Sequence, residues 1–100
     1  MRLGSTPKHE FTLPLDTSLV DKFKVTYKQN GKIILEKYLE DFDVSGNKLF
    51  VTLTQEETFL FTEGVNVEVQ ARVLTVGGDA LPSDIRIITA EKCLDREVLE

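Results

Sequence analysis

Asp41, Asp43, Ser45 and Asn47 stand at alternate positions around Gly46. A calcium loop opens in this way, because oxygens at every second residue converge on one cation and a glycine permits the sharp bend. The remainder of the pattern departs from it. Thr52 holds the twelfth position, where a bidentate glutamate is needed, and Lys48 holds the eighth, where an apolar residue is usual. The flanking segments also carry strand periodicity and not helical periodicity. A solvated turn between strands is the simpler reading, and no resident metal or other cofactor is expected.

Catalytic side chains are equally sparse. His9 is the only histidine, which rules out a two-histidine metal site. A Ser-His-Asp set built on His9 has no nucleophile-elbow sequence to support it. Cys93 is the only cysteine, so no internal disulfide forms, and a reducing compartment is the simpler home. It lacks a His- or Lys-rich setting that would activate the thiol. Glu40-Asp41 and Glu56-Glu57 read as solvated faces and caps. Gly77-Gly78 joins strand to strand and opens no helix, so it is not a phosphate loop. Enzymatic activity is not expected.

Glu68, Gln70 and Arg72 share one face of an alternating run and form the strongest binding candidate. They make either a cross-strand polar ladder or a protein-docking patch, since arginine offers a fixed fork of donors and is enriched at interfaces. The element that positions them is the long segment Val65–Ile88. Val65, Val67, Val69, Ala71 and Val73 alternate with Asn66, Glu68, Gln70 and Arg72, which only a pleated strand sends to opposite faces. Gly77-Gly78 supplies a hairpin turn, and Ile85, Ile87 and Ile88 suit the returning strand.

Such a hairpin needs further strands to cover its apolar face, and the rest of the chain supplies them. His9, Phe11, Leu13 and Leu15 mark a first strand, with Pro14 indicating an edge or a bend. Val20, Phe23, Val25 and Tyr27 mark the next, with Lys22, Lys24, Thr26 and Lys28 outward. Asn30-Gly31 turns it into Ile33–Leu39. Asp41–Lys48 reads as a polar connection, followed by a strand carrying Leu49, Val51 and Leu53. Thr54-Gln55-Glu56-Glu57 is a capping box, and a helical turn or two beyond it should place Phe59 or Leu60 beneath the sheets. The expected fold is all-β, an immunoglobulin-like antiparallel β-sandwich of about seven strands with one short helical turn near residues 55–61. Residues 1–7 read as a flexible N-terminal arm, 8–92 as a single sandwich domain and 93–100 as a tail.

The totals agree with one soluble domain: 100 residues, 41% apolar and 29% charged. The net charge is -5 and the pI about 4.9, with no basic cluster, so nucleic acid is not an expected partner. No run approaches the roughly 18 apolar residues of a membrane span, and the N-terminus has no secretory core. A membrane is therefore not an expected partner either.

Gly4-Ser5-Thr6-Pro7 followed by Phe11-Thr12-Leu13-Pro14 resembles the opening of small prophage-encoded proteins of Firmicutes. Leu53-Thr54-Gln55-Glu56-Glu57-Thr58 resembles the same group, as does the run from Val69-Gln70-Ala71-Arg72 through Gly77-Gly78 to Ser83. The arrangement is also similar to the immunoglobulin-like N-terminal domain of phage baseplate upper proteins, which attaches a receptor-binding apparatus to the virion. The resemblance implies a non-enzymatic structural or adaptor protein of the tail or baseplate. Its partners would be phage structural proteins or a second copy of itself. It further implies a place in the bacterial cytoplasm during assembly, with the virion as the alternative end point. A carbohydrate- or calcium-binding sandwich module is the rival expectation.

Overall fold

Period-two alternation runs through every long segment. In the computed structural model, which describes residues 1–100, it resolves into eight antiparallel strands in two sheets. In chain order these are β1 (Lys8–Thr12), β2 (Val20–Gln29), β3 (Lys32–Tyr38), β4 (Asp43–Ser45), β5 (Lys48–Thr52), β6 (Asn66–Thr75), β7 (Ala80–Pro82) and β8 (Arg86–Thr89). One sheet runs β1-β5-β4. The other runs β3-β2-β6, with β7 and β8 both paired to the far side of β6. The chain is thus an all-β sandwich, and its strand order is that of the B-E-D and C′-C-F-G sheets of an immunoglobulin domain. No strand occupies the A position beside β1.

The inward residues of both sheets meet in one core. Phe11, Leu49 and Val51 come from the small sheet, and Phe23, Val25, Tyr27, Val67, Val69, Ala71 and Val73 from the large one. Phe11, Phe23 and Phe42 pack edge to face, with centroids 4.9 to 6.1 Å apart. Phe42 sits at the entry to β4, so the stretch expected to be a polar connection in fact adds a strand. Its three residues are all exposed at the sheet edge, which is why their pattern reads as loop.

The local turn and cap chemistry is realised as expected. Asn30 (φ 50°) and Gly31 (φ 75°) both take the left-handed conformation that a two-residue hairpin turn requires. Thr54 Oγ1 accepts from Glu57 N–H at 3.1 Å, while Glu57 Oε1 accepts from Thr54 N–H at 3.0 Å. This box starts a single helical turn, α1 (Gln55–Thr58). The helix stops there, and of the two expected residues Phe59 packs half-buried against the core while Leu60 does not. Phe61 fills the core, 1% exposed and edge-on to Tyr27, while Leu60 points to solvent.

The N-terminal segment is packed where a free arm was expected. Leu3 is fully buried, its N–H bonds Glu91 O, and Arg2 forms a parallel bridge with Glu91. Gly4 N–H donates to the buried Thr58 hydroxyl at 2.9 Å. A single leucine among polar neighbours gives no periodicity, so nothing in the local sequence announces this docking. The tail holds no regular element. Gln55 exchanges two hydrogen bonds with the Leu99 backbone, and Arg96 lies 4.9 Å above the Phe59 ring.

The returning half of the long hairpin is broken into β7 and β8. Four residues of β6, from Arg72 to Val69, face five residues from Pro82 to Arg86. Pro82 has no N–H to give, and Ser83 repairs the interruption. Ala71 N–H donates to Ser83 Oγ at 2.9 Å and Ser83 N–H donates to Ala71 O at 2.8 Å.

Candidate functional site

The outward face of the large sheet brings the predicted docking residues together with partners from β2 and β3. Glu68, Gln70 and Arg72 lie opposite Lys28, Thr26 and Lys24 of β2, and Lys24 and Thr26 lie opposite Tyr38 and Glu36 of β3. Lys24 Nζ meets Glu36 Oε2 at 2.9 Å, and the Tyr38 hydroxyl donates to the same oxygen at 2.7 Å. The Lys24 hydrogen bond, reinforced by Tyr38, holds the Glu36 carboxyl below its usual pKa. The same contacts raise Lys24 and Tyr38, so this triad stays charged, charged and neutral around pH 7.

Arg72 is placed differently. It is exposed, takes part in none of the ion pairs, and has the Lys24 ammonium as its cross-strand neighbour. An open groove of about 750 Å³ runs over it, walled by Tyr38 and Leu39 on one side and Ala80 and Pro82 on the other. Lys22 and Leu74 complete the floor. The groove therefore has apolar walls and a mixed charged lining, with Lys22, Lys24 and Arg72 against Asp21 and Glu40. Gln70, by contrast, is committed to the fold, since its Nε2 donates to Ser83 O at 3.0 Å across the break in the returning strand. Glu68 is exposed and lies between Lys28 and Ile87.

Of the four residues of the calcium-loop spacing, Asp41 ends a 3-10 turn and the other three lie along the β4–β5 hairpin. Asp41 Oδ2 accepts from Tyr38 N–H at 2.8 Å, and Asn47 Nδ2 donates to Leu13 O at 3.1 Å. Asp43 and Ser45 are in β4, opposite Phe50 and Lys48. No cluster of three or more His, Cys, Asp or Glu residues suited to a metal forms.

His9 sits on the inward face of β1, with Nδ1 at 2.7 Å from the Tyr27 hydroxyl. Burial, then the amino-terminal charge and Arg86, lower its pKa below 6.5. Burial raises the Tyr27 phenol far above its ordinary value. The pair is therefore a neutral phenol against a neutral imidazole at pH 7, and the His9 tautomer sets which of them donates. The contact ties the two sheets together.

Lys24, Glu36 and Tyr38 were not singled out as site residues from the sequence. The Asn30-Gly31 turn alone would pair Lys24 with Lys37. A bulge between Tyr27 and Lys28 shifts the ladder by one and brings Tyr38 beside Lys24. No helix is long and apolar enough to cross a membrane. Comparison of the chain with protein-family models, characterised proteins and solved structures returns no match.

Proposed function

We propose that this protein is a non-enzymatic structural or adaptor component of a prophage, of the tail or baseplate type, that works by protein–protein docking. The observation that carries the docking reading is Arg72, an arginine without an ionic partner lying at the base of an apolar-walled groove on a rigid sheet. A guanidinium left uncommitted in such a setting can bond a carboxylate or backbone carbonyls of a partner while the walls bury apolar side chains. The phage setting is supported by the resemblance of the Gly4–Pro14, Leu53–Thr58 and Val69–Ser83 segments to small prophage proteins, and by the sandwich architecture. Architecture alone would not assign a role.

Mass spectrometry on gradient-purified particles from an induced host carrying this gene tests the proposal. The protein is expected at a fixed stoichiometry to tail proteins, and the Arg72→Ala variant is expected to be depleted from particles while remaining folded in the lysate. Absence of the wild-type protein from particles would remove the structural role.

A further inference from the structure

β1 is an edge strand, and its bonding phase shows which backbone groups are free. Leu53 N–H bonds Pro7 O and Leu13 N–H bonds Asn47 O, so the odd-numbered residues of β1 face β5. In an antiparallel ladder the alternate residues then point the other way. The N–H and C=O groups of Lys8, Glu10 and Thr12 are therefore directed at the open side, where the A strand of an immunoglobulin sandwich would run. β8 ends the opposite sheet on the same side.

Between these two edges lies a hollow of about 400 Å³, floored by His9, Phe11, Val69 and Ile88. One side chain spans it. Arg86 of β8 stacks 5.5 Å above the Phe11 ring and reaches Glu10 O with Nη1 at 3.5 Å, the outer limit of a hydrogen bond. Glu10 is paired with Lys48, whereas the ion pairs of the chain include neither Arg86 nor Lys8. On a chain of net charge -5, this seam carries two uncompensated cations.

We propose that the seam between β1 and β8 is a strand-addition site for an extended segment of another protein, apolar at alternate residues and bearing an inward carboxylate for Arg86. The segment bonds Lys8, Glu10 and Thr12 through its backbone, a span of about 14 Å that five residues cover. Its inward side chains enter the hollow against Phe11 and Ile88. A second copy of β1 is the poorer occupant, because antiparallel pairing about Glu10 sets two carboxylates opposite each other. This specifies a mode of the docking proposed above, and it is read on the isolated chain, so its failure and the failure of the particle assignment are separate results.

The probe is a capped seven-residue peptide with threonine at odd positions, valine at the second and sixth and glutamate at the fourth, titrated to millimolar concentration and followed by amide NMR. The expected result is saturable shifts on β1 and β8. Hydrogen exchange of the Lys8, Glu10 and Thr12 amides should slow by about tenfold, while the His9 and Phe11 amides, already bonded to β5, stay unchanged. Glu10→Pro removes one outward N–H without touching the β5 ladder, and it should abolish binding at an unaltered melting temperature. Arg86→Gln, or glutamine in place of the peptide glutamate, should weaken binding about threefold to fivefold. Absence of saturable shifts on β1, shifts centred on Arg72 and Tyr38, or undiminished binding by Glu10→Pro would each overturn the proposal. Should Glu10→Pro melt early, undiminished binding by Arg86→Gln overturns it.

Discussion

The Tyr27 hydroxyl on β2 and Nδ1 of His9 on β1 lie 2.7 Å apart and join the two sheets across the core. Tyr27→Phe keeps the packing but leaves a half-buried imidazole nitrogen unpartnered. It should cost about 1–2 kcal/mol in urea unfolding.

The same pair predicts a pH dependence. The folded state holds His9 with a pKa below 6.5, so the unfolded chain binds that proton more readily. The contribution of neutral His9 is present above pH 6.5 and is lost as the pH falls through the folded pKa. The melting temperature should therefore decline on acidification below pH 6.5, and His9→Gln should flatten that limb. A wild-type curve that is flat from pH 7.5 through the first unit below 6.5 would contradict it.

Gly4 joins the N-terminal segment to the body at φ +80°, and a Cβ there would lie 2.8 Å from Phe59 Cζ. The left-handed backbone alone costs a substituted residue about 1–2 kcal/mol. Gly4→Ala should release residues 1–5 more than it unfolds the sandwich. Exchange of the Leu3 amide is expected to accelerate while that of Val25 and Val69 holds.

Gln29 is a buried polar residue that alternation alone does not explain. Its Nε2 donates to Thr62 O at 2.9 Å and Val65 O at 3.1 Å, and Thr62 N–H donates to its Oε1 at 2.8 Å. The amide thus behaves as a piece of strand, closing the loop that leads from α1 into β6. Gln29→Leu strands those backbone groups and should destabilise by about 2–3 kcal/mol, measured by urea unfolding.

Val69 and Arg72 separate folding from docking. Val69 is 3% exposed and faces the core, so Val69→Asp buries an unpaired charge and should unfold the domain at a cost of several kcal/mol. Arg72→Ala should change stability by no more than about 0.5 kcal/mol. Circular dichroism melts of both variants check this, and unfolding by Arg72→Ala would remove the basis of the docking face.

What the sequence determined by itself is local. Alternation in Val20–Tyr27 and Val65–Val73 dictates two strands with one apolar face, because a pleated chain has no other way to segregate those residues. Asn30-Gly31 and the Thr54–Glu57 box dictate a turn and a helix start through bonds that span only a few residues. The tertiary structure decided everything that depends on which distant residues meet. The bulge at Tyr27/Lys28 chose Tyr38 as the neighbour of Lys24, and Ser83 bridged the break in the returning strand. Leu3 found its pocket among residues far along the chain, and His9 its partner in Tyr27. Registry, bulges and inter-sheet pairs cost or gain energy only once the sheets are assembled, so no local pattern records them.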